Sequence, residues 1–476
     1  MKQLIKIFTV LVLALTWQGL FAQITEYQFD NGKSKEGFVI EKATRSGLSI
    51  SHSLKKISVE DISDNGYSGQ QLHINEITLP SDAGNPNLPT NSRYIAIPNG
   101  STPVLEVKNF KSTVLKDMDI MAAAPILSDT DDRPATYEKN PDIYNKNAFY
   151  PEEPFTISEV MTIRGVQVVV VSVTPFQYNP VTKEVIVYHD IDLELSFKGG
   201  NGEFGEERYR SRYFDPILQN VLLNYDQLPV IDYESRMREW SNNRPTGCEY
   251  LIVIPNNESF RPIAEELAEY RIKQGILTQV MSLDDMECTT TAQLKSFFHN
   301  AYNTWDIPPV AVLLFGDHNT NMSSGIPAEV VTHITEGTCI TDNQYADVTN
   351  DHLPEMCFSR LVAANATEAQ LMVDKTINYE YNNPNMDSYS YQNPITALGW
   401  QTERWFQICS EVVGGYWREQ GKTPVRINAI YQGTPGNIWS TAQNTATVTN
   451  YFGQNGLGYL PTSPTELGGW SGGTAS

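Results

Sequence analysis

The 476-residue chain is long enough for two or three domains with separate hydrophobic cores. Its 34 basic and 56 acidic residues give a net charge of -22, which repels phosphate backbones and anionic lipid surfaces and argues against nucleic acid as a partner. The five cysteines lie at wide, irregular spacings, which argues against a zinc site or a dense disulfide framework.

The first 22 residues have the pattern of a signal peptide. Lys2 and Lys6 precede an apolar run at 7–15, and Ala22 offers a cleavage point before Gln23. A short membrane anchor is the alternative, but the run is well under the roughly 18 apolar residues that a spanning helix needs, and no later segment reaches that length. We therefore expect a secreted or cell-surface protein without a transmembrane segment.

Residues 23–197 have the pattern of a β-rich domain. Apolar residues from Ile191 to Phe197 alternate with polar ones, which places the apolar groups on one face of a strand. The run Val166–Val173 is β-branched at nearly every position, as in a strand buried on both faces, and Asn179-Pro180 predicts a turn between the two. No long helical pattern interrupts this region, so we predict a β-sandwich.

Residues 198–246 are rich in Gly, Asn and charged residues. This composition predicts a linker or a region for proteolytic processing, with a solvated charged loop as the equal alternative. The basic residues of this region, Arg236 and Arg238 among them, are where trypsin-like cleavage would occur in a mobile chain. We therefore divide the chain into a β-rich domain with its linker at 23–236 and a second domain at 237–476.

From Tyr250 the pattern alternates between strands and helices. Predicted strands cover 250–254, 276–281, 310–315, 355–361, 395–398 and 425–431. Gly275 ends the first helix, Thr290 begins the second, and Thr367 with Gln370 forms a capping box for the third. This alternation predicts a multidomain protein, in which the β-sandwich precedes an α/β/α domain with a mostly parallel sheet.

Gly316, Asp317 and His318 follow the most apolar strand of the second half. In parallel sheets, ligands collect at the carboxyl ends of the strands. An acid and an imidazole at this place suit metal binding or substrate orientation, and capping of the following turn is the simpler alternative. A calcium-dependent hydrolase built on Asp317 and His318 is the corresponding functional hypothesis.

A second group of acids lies at 341–355, where amide side chains separate closely spaced carboxylates. Calcium takes about six to eight oxygen ligands, and such a loop supplies them from side chains and carbonyl groups. The spacing is not that of an EF-hand. On these residues alone, a calcium site and a solvated acidic loop are equal alternatives.

The order of these motifs resembles the first half of the catalytic domain of gingipains, a family of secreted cysteine peptidases. The segments that carry the likeness are residues 312–318, Asp342 with Gln344-Tyr345, Asn350-Asp351-His352 with Glu355 and Arg360, and residues 374–380. The likeness runs from about Cys248 to the end of the chain, and the β-rich half has the length and position of that family's inhibitory propeptide. It implies a caspase-like α/β/α fold, protein or peptide substrates, and an intramolecular contact between propeptide and catalytic domain.

The resemblance also implies a structural calcium ion. Its ligands here would be the side chains of Asp317, Asp351 and Glu355 and the carbonyl groups of Val348 and Leu353. Three carboxylates would neutralise the ion, and the backbone would complete its shell.

In this family the nucleophile is a cysteine, with a histidine as proton carrier and an acid that orients the histidine. The family's His-Gly turn and cysteine strand lie further along than any counterpart in this chain, so the chain as given is expected to be inactive. The acid falls near 399–404, where Glu403 is the nearest carboxylate and a gap-free match falls on Gln401. Glu403 is the candidate catalytic acid, with a helix N-terminal acid as its structural alternative. Cys357 and Cys409 are predicted core residues and not members of an internal Cys–His dyad.

Two functions of different classes follow. The first is the precursor of a secreted cysteine endopeptidase, in which residues 23–236 contain an inhibitory propeptide. Arg236 or Arg238 would be its activation point if the mature enzyme cuts after arginine. The alternative is a non-catalytic secreted or surface-associated binding protein that retains the fold.

Overall fold

A computed structural model describes residues 24–30, 35–64, 66–75, 78–79, 81–125, 136–243, 245–333, 337–381, 391–398, 405–428 and 456–460. The predicted signal peptide at 1–22 lies outside these residues. We call the part up to Leu228 the first domain and the part from Cys248 the second domain.

The first domain is built mainly from antiparallel strands. They are β1 (Ile24–Gln28), β2 (Gly37–Thr44), β3 (Gly47–Ser53), β4 (Lys56–Asp64), β5 (Tyr67–His73), β6 (Asn91–Ala96), β7 (Ser101–Leu115), β8 (Phe155–Ile157), β9 (Met161–Ile163), β10 (Val166–Val173), β11 (Phe176–Asn179) and β12 (Glu184–Gly199). One sheet has the order β11-β12-β3-β2 with β7 also paired to β12, and another has the order β6-β10-β8 with β9 also paired to β10. A smaller sheet has the order β1-β4-β5.

The two larger sheets enclose one hydrophobic core, which confirms the predicted β-rich first domain. In β12 the apolar residues at 191, 193, 195 and 197 are buried, whereas the polar residues between them are only half-buried. They meet Leu48 and Ile50 from β3 and the valines of β10. Each such side chain contributes about 1.5–3 kcal/mol when it is fully buried. In β10 buried valines lie on both faces, Val166 and Val168 on one and Val169, Val171 and Val173 on the other, as predicted.

Most of the predicted linker is part of the first domain. Helix α1 (Pro141–Tyr144) lies within the β region, and helix α2 (Asp215–Val221) follows it in the segment that we predicted to be a linker. Phe214, Leu218, Leu222 and Leu228 from this segment pack into the sandwich core. The next helix, α3 (Tyr233–Asn243), has no buried residue. The four core positions of the segment were not predicted from the sequence, because they are widely spaced among charged residues.

The second domain alternates strands and helices, as predicted. Its strands are β13 (Tyr250–Ile254), β14 (Thr278–Ser282), β15 (Ala311–Phe315), β16 (Glu329–His333), β17 (Gly337–Thr341), β18 (Cys357–Leu361), β19 (Ile395–Leu398) and β20 (Val425–Asn428). Its helices are α4 (Arg261–Lys273), α5 (Thr291–Thr304), α6 (Asn343–Ala346), α7 (Ala366–Tyr381) and α8 (Trp405–Glu419). Four parallel strands form a sheet in the order β14-β13-β15-β18, and β19 pairs with β20, also in parallel.

This parallel sheet has a hydrophobic core on each face. Alternate residues of β13 and β15, such as Val253 and Val312, face α5. The residues between them, such as Ile252 and Leu313, face α4 and α7. Burial on both faces explains why these strands are apolar at every position. The multidomain fold class, with an α/β/α second domain, is confirmed.

The start of α7 differs from the prediction. The helix begins at Ala366, and the cap is Asn365, whose Oδ1 accepts a hydrogen bond from the Glu368 N–H at 3.0 Å. Glu368 in turn accepts from the Ala364 N–H at 2.8 Å. The pair Asn365 and Glu368 therefore forms the capping box, and the similar pair Thr367 and Gln370 lies inside the helix.

The described residues contain no helix that is both long enough and apolar enough to cross a bilayer.

Candidate functional site

The turn after β15 lies at the carboxyl edge of the parallel sheet. Asp317 Oδ1 accepts a hydrogen bond from the His318 N–H at 2.7 Å, and the Asp317 N–H donates to the Ala363 carbonyl at 3.1 Å. His318 Nδ1 accepts from the Ala328 N–H at 3.0 Å, so a neutral ring carries its proton on Nε2. Both side chains therefore hold the backbone of this turn, which is the simpler of the two roles that the sequence left open.

Arg360 fastens the following loop to the sheet. Its guanidinium forms a bidentate ion pair with Asp342 at 3.0 and 2.8 Å and donates to the carbonyl groups of Gly316 and Ile326 at 3.1 and 2.8 Å. Bidentate pairs of this kind fix orientation as well as charge. Of the segments that carry the gingipain likeness, residues 312–318 and Asp342 are thus in contact with Arg360.

Glu355 is a buried acid at the end of the acidic loop. Its side chain accepts hydrogen bonds from the Val348 N–H at 2.7 Å and from the Thr349 hydroxyl at 3.4 Å. Burial raises the pKa of Glu355 to about 7, and the nearby carboxylates of Asp351 and Asp347 add to the rise. A carboxylate in this setting is costly to ionise unless a cation compensates it.

Asp351 and Asp347 shape the same loop. Asp351 accepts from the Leu353 N–H at 3.0 Å and, from the first domain, from the Thr162 N–H at 2.6 Å. Asp347 accepts from the N–H groups of Asp351 and His352, both at 3.1 Å. The side chains of Asp351 and Glu355 are therefore neighbours within one tightly turned loop.

Asp317 does not join Asp351 and Glu355. Strands β15 and β18 are parallel and in register from Ala311 opposite Cys357 to Phe315 opposite Leu361. Asp317 follows β15 and lies at the carboxyl edge, whereas Glu355 precedes β18 and lies at the amino edge, which places them more than about 13 Å apart at the usual rise of a strand. One ion cannot bind both, so the expected calcium set that included Asp317 does not form.

Within the described residues, no group of three or more His, Cys, Asp or Glu side chains has the arrangement of a metal site. The carboxylates of Asp351 and Glu355 instead accept hydrogen bonds from the surrounding loop and from the first domain. Calcium binding by Asp351 and Glu355 with Val348 and Leu353 stays a prediction.

The cysteines differ in burial. Cys248 and Cys288 are buried and Cys409 is half-buried, but Cys357 is exposed, so the prediction that Cys357 is a core residue is wrong. Desolvation raises the pKa of Cys248 to about 12 and also raises the pKa values of Cys288, Cys357 and Cys409. A nucleophilic cysteine needs the opposite shift. The candidate acid Glu403 lies outside the described residues.

The largest buried polar group that the sequence analysis missed is Arg164, which is 1% exposed. It belongs to the first domain, but its guanidinium donates to the second-domain carbonyl groups of Pro308, Pro309 and Glu355 at 3.2, 2.9 and 2.7 Å. It also donates to the Tyr209 carbonyl at 2.7 Å. These acceptors immediately precede β15 and β18, so Arg164 reaches the amino edge of the parallel sheet.

A two-residue hairpin turn presents Arg164. The turn joins β9 to β10 and consists of Arg164 and Gly165, with φ of 44° and 74°. Positive φ at both central residues is typical of a type I′ hairpin, in which glycine is favoured at the second position. A Cβ on Gly165 would also lie 2.4 Å from the Tyr209 ring. An Arg-Gly pair before a β-branched run was the available sequence signal for this hairpin.

Two further arginines of the first domain contact the same edge. Arg208 donates to the carbonyl groups of Tyr302, Asn303 and Trp305, where α5 ends, at 3.2, 3.0 and 2.7 Å. Arg212 donates to the Gly275 carbonyl just after α4, at 2.6 Å. Helices that cover a parallel sheet run opposite to its strands, so these helix ends and the strand starts share one edge.

Comparison with known proteins gives the family of both domains. The propeptide profile of family C25 matches residues 32–229, and the profile of peptidase family C25 matches residues 243–460. The two profiles match in consecutive order and together span most of the chain.

Curated relatives come from Porphyromonas gingivalis. Lys-gingipain W83 is 25% identical over 84% of this chain and 22% of its own length. Gingipain R2 of strain W83 is 26% identical over 63% of this chain and 39% of its own length. The chain thus spans about a fifth of the length of the Lys-gingipains that it matches.

Solved structures of the same organism's proteins are also similar. A complex of the RgpB pro- and mature domains is 26% identical, with a TM-score of 0.35 over 40% of this chain and 99% of that chain. A structure concerning the zymogenic latency of gingipain K is 24% identical, with a TM-score of 0.34 over 37% of this chain and 100% of that chain. TM-scores this low do not establish a shared overall shape, and the family rests on the two profiles. By these profiles the chain belongs to peptidase family C25, the gingipain family of cysteine peptidases, and carries a propeptide followed by part of a catalytic domain.

Proposed function

We propose that this chain is part of the precursor of a secreted cysteine endopeptidase, with the first domain as an inhibitory propeptide. The observation that carries the proposal is the direct contact between the two profile-matched domains, in which the first domain buries Arg164 against the second. A free binding protein would have no need to bury a guanidinium group between its own domains. Export through residues 1–22 is part of the proposal, and N-terminal sequencing of the exported protein should then begin at Gln23.

The catalytic histidine and cysteine of this proposal lie outside the 476 residues. The raised pKa values of Cys248, Cys288, Cys357 and Cys409 support this part, because a nucleophilic thiolate needs a lowered pKa. Purified chain of this length should therefore leave arginyl and lysyl peptide substrates uncut, with or without a reducing agent.

A longer protein that continues the reading frame should hydrolyse one of these substrate classes in a cysteine-dependent way. In that protein Glu403→Gln should lower kcat, because Glu403 is the proposed acid that orients the histidine. Cysteine-dependent cleavage by the 476 residues would contradict the proposed position of the nucleophile. Absence of peptidase activity from the longer protein would favour the binding-protein alternative.

We also propose that calcium binds the loop at 347–355. The ligands would be Asp351 and Glu355, with the carbonyl groups of Val348 and Leu353 and without Asp317. The support is chemical: a buried carboxylate with a raised pKa lies beside a second carboxylate in one loop, and calcium would neutralise both.

Thermal unfolding in calcium chloride and in a chelator would test this site. Calcium at about 100 times its dissociation constant should stabilise the chain by roughly 3 kcal/mol and raise Tm. Glu355→Gln and Asp351→Asn should each remove the response, and Asp317→Asn is the matched control that should keep it. Equal Tm values in calcium and chelator would contradict calcium binding, and a response lost in Asp317→Asn would contradict this ligand set.

A further inference from the structure

We propose that Arg164, Arg208 and Arg212 form an arginine clamp that holds the propeptide on the amino edge of the catalytic sheet and retains it there after the connecting chain is cut. The inference rests on the proposed propeptide role and adds the surface and the residues that control release.

The clamp acts mainly on main-chain carbonyl groups, and Arg212 also forms an ion pair with the buried carboxylate of Glu249 at 3.2 Å. Arg164 reaches the carbonyl groups that precede β15 and β18, and Arg208 and Arg212 reach those that follow α5 and α4. Carbonyl groups at the carboxyl ends of helices carry the negative end of the helix dipole, so cations bind there favourably. A guanidinium group supplies several donors in a fixed plane and can serve more than one carbonyl group at once.

Arg164 is the centre of the clamp because its guanidinium group is buried, so water cannot reach the carbonyl groups that it serves. Its guanidinium carbon lies 5.2 Å from the ring centroid of Phe214 in the first domain and 5.7 Å from that of Tyr302 in the second. Tyr302 also stacks on Tyr209 of the first domain at 4.5 Å. Removal of the guanidinium would leave three second-domain carbonyl groups facing a closed, partly aromatic space without a donor.

The clamp stays intact when the connection between the domains is cut. All three arginines precede α3, and the contacts that fix the start of α3 also lie on the N-terminal side. Tyr233 donates to Asp215 at 2.6 Å, and Arg236 donates to the Arg210 carbonyl at 3.0 Å. On the other side, Thr246 donates to Asp306 within the second domain at 2.9 Å. A cut between Arg238 and Thr246 therefore breaks none of these contacts.

The clamp that retains the propeptide lies away from the edge of the sheet where substrate would be blocked. Ligands of parallel sheets bind at the carboxyl edge, and the clamp lies at the opposite edge. We infer that release of the propeptide is controlled at the amino edge, at a distance from any group that occupies the substrate site.

The test uses the whole chain with a site-specific endopeptidase sequence inserted after Asn243. After complete cutting, the two pieces of the otherwise unchanged chain should co-elute in size-exclusion chromatography at micromolar concentration. In Arg164→Gln the dissociation constant of the cut pieces should rise by at least about 100-fold, as for truncation of a buried charged donor at an interface. Arg93→Gln is the matched control, because Arg93 is a partly buried arginine of the same domain that donates to its own domain's Ser92 carbonyl at 2.9 Å.

Each outcome decides the proposal. Separation of the wild-type pieces, or equal dissociation of the wild-type and Arg164→Gln pieces, would overturn it. Circular dichroism of the separated pieces should show that each is still folded, which a merely structural role of Arg164 would not predict. If Arg164→Gln does not fold, Arg208→Gln is used, and an unchanged dissociation constant there overturns the clamp. The test measures association of the two pieces and not peptidase activity. If the pieces stay associated through Arg164 but the longer protein has no peptidase activity, the proposed function is wrong and the clamp stands.

Discussion

His52 is a wholly buried histidine in the core of the first domain. It lies on β3, with the Phe38 ring edge-on at 4.8 Å. Within the described residues neither ring nitrogen has a hydrogen-bond partner. Burial, and next the positive charge of Arg93, lower the pKa of His52 to about 4. The folded domain therefore holds this imidazole in its neutral form.

We predict that the first domain loses stability in acid through His52. An imidazole in the unfolded chain titrates near 6.5, whereas in the folded chain it stays neutral down to about 4, so the unfolded state takes up the proton first as the pH falls through this window. The free energy of unfolding should fall by about 3 kcal/mol once the pH is below both values. The loss would be measured as the fall of the urea midpoint with pH across this range, with amide hydrogen exchange in β3 and β10 as the probe of the first domain.

The variant His52→Phe keeps a buried ring and removes the imidazole, so this part of the pH dependence should disappear. His333→Gln removes an exposed histidine instead and should leave the dependence unchanged. A His52→Phe protein with the wild-type slope would show that another group causes the acid loss.

At the residue scale, the sequence was informative about local roles and poor at long-range partners. The capping role of Asp317 and His318 follows from their place after a strand, and the hydrogen bonds of both side chains to the turn confirm it. The wrong grouping of Asp317 with Glu355 came from the resemblance. One residue follows a strand and the other precedes a parallel strand, so the predicted sheet already placed them at opposite edges. The interdomain role of Arg164 could not be predicted from the sequence, because the carbonyl groups of Pro308, Pro309 and Glu355 that it serves lie in the other domain.

Helix α3 (Tyr233–Asn243) lies at the surface along its length. None of its residues is buried. Arg236 is nevertheless fastened, since its side chain is 11% exposed and donates to the Glu207 carboxylate at 2.9 Å and to the Arg210 carbonyl at 3.0 Å. Arg238 is 74% exposed and pairs only with Glu234, one turn away on the same helix, in the contacts described. The second half of α3 can therefore unfold without disturbing the first.

We predict that a trypsin-like protease cuts first after Arg238, because cleavage requires a locally unfolded chain with a free arginine. Arg238→Gln should slow the first cut by at least about 10-fold, since the preferred residue is gone and local opening of α3 is unchanged. Arg236→Gln should not slow it. Mass spectrometry of the first fragments would identify the bond, and a first fragment that ends at Arg236 would contradict this assignment.

At the element scale, the parallel strands of the second domain were predictable to within a few residues, whereas the antiparallel pair β16 and β17 was not predicted. Burial on both faces makes every position of β13 and β15 apolar, and this signal does not depend on distant partners. The ends of helices were less certain, because Asn365-Glu368 and Thr367-Gln370 offer two similar capping boxes and only the packed helix selects one. Helix α2 was missed because its few core residues are spread among charges.

At the scale of the whole molecule, the hydrophobic cores cross the domain boundary. Val310, the residue before β15, packs in the core of the first domain, and Leu353 of the second domain lies against that core. Val312, two residues later on the same segment, packs in the core of the second domain. The two domains therefore share apolar contacts in addition to the arginine contacts.

We predict that Val310→Ala destabilises both domains together. Loss of buried methyl groups should lower the free energy of unfolding by about 1–3 kcal/mol. Hydrogen-exchange protection should then fall in β10 and in β15 alike. Val312→Ala is the control of equal size and should lower protection in β15 while it leaves β10 unchanged. Unchanged protection of β10 in Val310→Ala would contradict a shared core.

The arginine contacts have a consequence for how this family can diversify. Every residue type has the same backbone carbonyl oxygen, whatever its side chain. A substitution therefore does not remove the acceptor at any of the positions that receive these hydrogen bonds, which are 275, 302, 303, 305, 308, 309 and 355. Mutational drift on the catalytic half is then free at 303 and 305, provided that the main-chain path is kept, whereas Gly275 has a positive φ, the Tyr302 ring contacts Arg164, and the Glu355 carboxylate is a proposed calcium ligand. A hybrid that joins this propeptide to a distant homologue's catalytic half should still assemble wherever that path is the same.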